Sequence, residues 1–159
     1  MAEDGLRVLR DDPSLDGDIP LLRQVNPKRA APCVDWDSIS SGGFPKLRAG
    51  AFQRASKQMA ERYGYPERTL SVFVEDAVLA EYETVAAWAQ SARPGWGVVR
   101  ITAGALRQEG GYLLERDDLN EWVGHTVAWP GVSGRKADSA QHVLAVQAEW
   151  VVAPDPGRA

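Results

Sequence analysis

The chain has 159 residues, 44% of them hydrophobic and 25% charged, with a formal net charge of −4. These values fit one compact α+β domain with its own core and exclude a disordered or fibrous chain. The only cysteine, Cys33, excludes an internal disulfide framework and a cluster of zinc-binding thiolates. No apolar run approaches the roughly 18 residues that span a bilayer, and Met1 to Asp18 lacks a basic start followed by an apolar stretch. A cytoplasmic protein without a membrane partner is expected.

Residues 1–18 hold six acids against Arg7 and Arg10 and contain little apolar sequence, so they are expected to form a flexible acidic tail. The globular domain is expected over 19–153, with 154–159 frayed. Between Arg23 and Arg68 nine basic residues meet four acids, and between residues 69 and 134 four arginines meet nine acids. If the two stretches occupy different faces, the domain is electrostatically polarised.

Pro20 to Val25 reads as the first strand, stopped by Asn26-Pro27, with Arg23 pointing opposite to Leu22. Asn26 to Lys46 has prolines, a Ser40-Ser41-Gly42-Gly43 run and little periodicity, and is expected to be a long loop. Phe52, Met59 and Tyr63 are spaced for a helix over about Ala49 to Tyr63. Thr69 to Val74 alternates as a strand, placing Leu70, Val72 and Val74 on one face and Ser71 on the other with Thr69 and Phe73. Val78, Tyr82, Val85 and Ala89 form an apolar stripe that predicts one helix from about Glu75 to Ala92.

Val98 to Thr102 reads as a strand, Ala103 to Gln108 as a short helix and Gly110-Gly111 as a turn. Tyr112 to Glu115 and Val123 to Trp129 are two further strands. Asp138 followed by Gln141 suggests a capping box that opens a last helix, with Val143, Leu144 and Ala148 facing inward. Trp150 to Ala153 closes the chain as a strand. The order lacks a regular βα repeat, so a mixed or mainly antiparallel sheet of about five to six strands, covered by two to three helices, is expected.

The sequence has no dinucleotide fingerprint, phosphate loop, paired zinc-spaced histidines or calcium loop, and neither a metal nor a cofactor is expected. Gly131 to Lys136 (GVSGRK) offers amides and two cations to an anion, or a solvated turn. His125 can serve as a general acid or base near neutral pH, or as a hydrogen-bonded histidine at a strand edge. His142 says less. Trp36, set between Asp35 and Asp37 in the expected loop, is a candidate for stacking on a base or anchoring a partner.

Leu21-Leu22-Arg23-Gln24-Val25 with Pro27, Ser40-Ser41-Gly42-Gly43-Phe44, Leu70-Ser71-Val72, His125 and Trp150 together resemble a group of small uncharacterised bacterial proteins. The pattern covers about Leu21 to Val152. Val123-Gly124 stands where that group has Pro-Ala before its histidine, and Ala49 to Gly64 looks like an added segment. The resemblance implies no activity; it singles out Arg23, Ser40, Ser41, Ser71 and His125, a set able to hold an anionic or carbonyl group. Arg23, Thr69-Leu70-Ser71 and Glu149 also occur in the order seen in ADP-ribosyltransferase-like domains, a looser resemblance that implies a phosphate-binding Arg and a late catalytic Glu.

Two functions follow as expectations. The first is a non-catalytic bacterial module that binds another protein, as the accessory member of a toxin, immunity or defence gene pair, with Arg54, Lys57, Arg62 and Trp36 at the contact; nucleic acid is a less favoured partner. The second is a small enzyme or ligand-binding domain built on Arg23, Ser41, Ser71 and His125. It requires those side chains to reach within about 8 Å of a common point.

Overall fold

The computed structural model of the chain describes residues 10–28, 32–39, 43–65, 67–117 and 122–158. A six-stranded antiparallel sheet runs in the order β6-β7-β4-β1-β5-β8, with a separate hairpin β2-β3. The strands are β1 Pro20–Val25, β2 Val34–Ile39, β3 Pro45–Leu47, β4 Leu70–Val74, β5 Gly97–Thr102, β6 Tyr112–Arg116, β7 His125–Pro130 and β8 Glu149–Val152. The α-helices are α1 Lys57–Arg62, α2 Glu75–Glu81, α3 Val85–Ala92, α4 Ala103–Gly110 and α5 Arg135–Gln147, and a 3-10 turn covers Ala49–Phe52. The fold is α+β with an antiparallel sheet, as the order of elements implies, and the described residues form five α-helices where two to three were expected.

Alternation along the strands splits the sheet into two apolar faces. Leu21, Val25, Leu70, Val72, Val74, Val99 and Ile101 point to the larger core, where Phe52, Leu106 and Leu144 cover them. Leu22, Phe73 and Val98 point the other way, into a second cluster closed by Val78, Val85, Trp88 and Ala89 of α2 and α3. A third cluster joins Ala60 of α1 and Tyr65 to Val127 and Trp129 of β7. With both faces of β4 covered, each large side chain buried there contributes about 2 kcal/mol.

The strand registers align one residue from each successive strand in a row across the sheet. His125 of β7 faces Phe73 of β4, Phe73 faces Leu22 of β1, Leu22 faces Arg100 of β5, and Arg100 faces Glu149 of β8. Polar groups lie towards both ends of that row and apolar ones fill its middle.

Several elements differ from the sequence reading. The expected helix 49–63 is broken, because Ala55 donates its N–H to Thr69 O (2.7 Å) and Ser56 then caps a new helix by accepting from Met59 N (3.1 Å). Met59 and Tyr63 are consequently exposed while Phe52 is buried. The expected helix 75–92 is two helices. Thr84 caps α3 by accepting from Ala87 N at 3.0 Å, and both helices turn apolar residues onto the same cluster, which preserves the periodicity across the break.

The expected loop 26–46 contains β2 and β3, paired Val34↔Leu47 and Asp35↔Lys46. Trp150 ties the hairpin to β8, donating to Pro45 O (3.0 Å) and stacking on Phe44 (centroids 5.8 Å apart). Trp36 is therefore a strand residue, half-buried against the main core, and not a loop anchor. The last helix starts at Arg135, capped by Gly134 at φ 62°, so Asp138 sits in its first turn and not at its cap; Val143 is exposed.

Residues 10–18 are not a loose tail. Leu15 is fully buried, Asp12 N donates to Leu114 O (2.7 Å), and Asp11 Oδ1 accepts from Leu114 N (2.9 Å). Arg107 holds the same segment through Asp11 (3.2 Å) and the Asp12 carbonyl (3.2 Å). Residues 1–9 of the expected tail lie outside the described residues.

Candidate active site

Three adjacent strands, β6, β7 and β4, build the polar end of the row. Arg116 faces Thr126 in the β6-β7 register, so Asp117, one residue on, stands opposite His125, and the backbone closes the pair with Asp117 N donating to His125 O (2.9 Å). The carboxylate Oδ2 of Asp117 lies 2.9 Å from His125 Nδ1. On the next strand Ser71 faces Val127 directly, which makes His125 its diagonal neighbour on the same face. Ser71 Oγ lies 3.1 Å from His125 Nε2.

A carboxylate accepts hydrogen bonds and does not donate them, so His125 Nδ1–H donates to Asp117, and Nε2 of the neutral ring is left to accept from the Ser71 hydroxyl. Asp117 and His125 are buried, whereas Ser71 is half-exposed. The imidazole is held between Phe73 (centroids 5.4 Å apart) and the edge-on indole of Trp122 (5.3 Å). Trp122 itself is 48% exposed and forms part of the mouth.

Ser71 opens onto a cavity of about 640 Å³ lined also by Arg23, Arg93, Trp96, Asp117 and His125. It lines a second space of about 280 Å³ as well, enclosed by Phe73, Tyr82, Trp88 and Val123. Gln24, Ser71, Arg93 and Trp122 border both spaces, so the hydroxyl stands where the two meet.

Arg23 borders the larger cavity but projects from the opposite face of the sheet to Ser71. β1 and β4 pair only at Leu21↔Val74 and Leu22↔Phe73. Past those pairs Arg23 bridges the strands, donating from Nη1 to Ser71 O (2.8 Å), from Nε to Ala51 O (2.9 Å) and from Nη2 to Gln53 O (3.3 Å). Burial pushes its guanidinium down to about 10. Arg23 thus fixes the backbone of the residue whose side chain meets His125, which is a positioning role.

The other expected residues separate. Ser40 and Ser41 lie outside the described residues. Arg54 is spent on the carbonyls of Pro130 and Val132, while Lys57 and Arg62 are exposed on α1. Glu149 pairs with Arg100 (2.8 Å) and does not line the cavity that holds Arg23 and Ser71. In GVSGRK, Gly134 caps α5, and Arg135 and Lys136 are exposed. His142 is exposed on α5. Cys33 also lines the cavity, and burial pushes its thiol pKa up, which favours the protonated form.

Asp117 escaped the sequence reading. Its available signal was a strand ending in acids, followed by a connection of only seven residues, 118–124, before His125 at the start of the next strand. Such a hairpin brings the last residue of one strand opposite the first of the other. Among the described residues no group of three or more His, Cys, Asp or Glu side chains is placed to hold a metal ion. No described helix is long and apolar enough to cross a membrane. Comparison with models of protein families, with curated proteins and with solved structures gave no match to this chain.

Proposed function

We propose that the protein is a small serine-dependent acyl-transfer enzyme, acting as a hydrolase where water is the acceptor, with Ser71 as nucleophile, His125 as general base and acid, and Asp117 as the group that orients the imidazole. The observation that carries this reading is the continuous relay from Asp117 Oδ2 to His125 Nδ1 (2.9 Å) and from His125 Nε2 to Ser71 Oγ (3.1 Å). A buried polar chain needs partners for structural reasons alone. This one ends on a half-exposed hydroxyl at a cavity, which a purely structural network does not require.

In the forward step Ser71 Oγ attacks a carbonyl carbon as its proton passes to His125 Nε2; the resulting imidazolium, facing the Asp117 carboxylate, returns the proton to the departing group as the carbon–leaving-group bond breaks. Water repeats the sequence to release the acid and restore the serine. Gln24, which borders both spaces beside Ser71, supplies a neutral amide donor for the oxyanion.

The test is covalent labelling with a fluorophosphonate, followed by peptide mass spectrometry. The expected result is one adduct on Ser71, absent in Ser71→Ala and slowed at least ~100-fold in His125→Gln. A folded protein that stays unlabelled, or that is labelled equally fast in His125→Gln, overturns the assignment.

A further inference from the structure

The two spaces that meet at Ser71 differ in chemistry, and the difference specifies the substrate. This inference rests on the acyl-transfer reading above and extends it. The smaller space, about 280 Å³, is walled largely by rings: Phe73, Tyr82, Trp88 and Trp122. A volume of that order holds a single ring on a short linker and little more, and aromatic walls favour an aromatic or branched apolar group.

Among the described residues the larger space carries three guanidinium groups, Arg23, Arg54 and Arg93, against one carboxylate, Asp117, which faces His125. Arg23 and Arg54 spend their hydrogen bonds on backbone carbonyls. Arg93 is different. Its guanidinium lies over the Trp96 ring, 4.3 Å from the centroid, it is exposed, and among the described residues it makes no side-chain hydrogen bond. It follows α3 as the residue that caps the helix, and it borders both spaces next to Ser71.

We infer that the substrate is a two-part ester or activated acyl compound whose apolar, ring-sized acyl group enters the smaller space and whose leaving group carries an anionic carboxylate or phosphate into the larger one. Arg93 is the residue that reads that negative charge, with a fork able to make two parallel hydrogen bonds to either oxyanion. Trp96 holds the fork in place by stacking. Cleavage breaks the acyl carbon–oxygen bond, leaves the acyl group on Ser71 Oγ and sends the anionic alcohol out through the larger space with the proton from His125.

The experiment compares phenylacetyl esters of 4-hydroxybenzoate, a negatively charged leaving group, with those of 4-hydroxyacetanilide, a neutral one, after correction for the leaving groups' intrinsic reactivity. The full chain is expected to give kcat/KM at least ~10-fold higher for the anionic ester, and Arg93→Gln to bring that ratio close to one. Ala92→Leu, which narrows the smaller space, is expected to slow the phenylacetyl esters more than the acetyl esters. A Ser71 that labels with fluorophosphonate while the wild-type ratio is already near one overturns the substrate class and leaves the acyl-transfer reading standing. A ratio that persists in Arg93→Gln overturns the role of Arg93. Absence of both turnover and label overturns the two proposals together. A phosphate monoester leaving group run in parallel tells a phosphate reader from a carboxylate reader.

Discussion

The row of residues that crosses the sheet carries a polar cluster at either end, and the two are built to opposite effect. At one end Arg100 is pinned by Glu75, with Nε to Oε1 at 2.6 Å and Nη2 to Oε2 at 2.8 Å, and by Glu149 at 2.8 Å. The guanidinium is held charged, its pKa pushed above the ordinary arginine range chiefly by those two carboxylates. At the other end Asp117 and His125 also face each other from neighbouring strands, but the chain of contacts runs on to Ser71 and stops at a cavity. Similar ingredients give a guanidinium clamped between two carboxylates at one end and a relay whose last hydroxyl borders a cavity at the other. Neither distance nor exposure separates the two, since Glu149 at the locked end is 65% exposed; what differs is that one network closes on opposite charges and the other ends on a hydroxyl that borders a cavity.

Arg23 breaks the simple form of that contrast, since it borders the open end yet is fastened to three carbonyls. Arg23→Met is expected to cost about 3 kcal/mol by orphaning those acceptors, read as a lowered denaturant midpoint. Glu75→Gln, at the locked end, is expected to cost about 2 kcal/mol and to leave fluorophosphonate labelling of Ser71 intact once the variant is folded. Ser71→Ala should do the reverse, changing stability by less than ~1 kcal/mol while abolishing the label. If Glu75→Gln silences the serine, or Ser71→Ala unfolds the protein, the two ends are not independent.

The smallest effect concerns Asp12, beside the open end's outer strand. The Ser14 hydroxyl (2.7 Å) and N–H (2.9 Å) hold its carboxyl below the usual 3.8, with Arg116 and Arg107 adding to the pull. Its folded pKa is depressed, so the contribution is complete above 3.8 and is lost as pH falls through the lower folded value. Hydrogen exchange at Leu15 and Leu114 should therefore quicken by a few-fold below about pH 3.8, after correction for intrinsic rates. Unchanged protection there would mean that Asp12 does not secure the segment.

The six sheet strands were legible in the sequence because their apolar residues alternate and their ends carry Pro, Gly or Asn. Leu70, Val72 and Val74 against Ser71 is the clearest instance, and it fixed the face on which Ser71 lies. The helix breaks at Ser56 and Thr84 were not, since apolar periodicity persists through a cap when both segments pack on one cluster. The β2-β3 hairpin hid in Asp35-Trp36-Asp37-Ser38, a stretch whose polar residues are half-buried or exposed along a ribbon outside the main sheet. Ser71 and His125 were readable as candidates by residue type. Asp117 became one only through strand register, and Arg23 lost its place in the chemistry because the splaying of β1 from β4 turned its guanidinium onto backbone carbonyls.

The docking of residues 10–18 has a consequence for how the protein behaves when concentrated. β6 lies at the margin of the sheet, and Leu114 at its centre would otherwise present an unmet carbonyl and amide to any passing strand. Asp12 and Asp11 occupy both of them. Filled by a side chain and a turn, this part of the β6 edge offers no free template for a strand of another copy to extend.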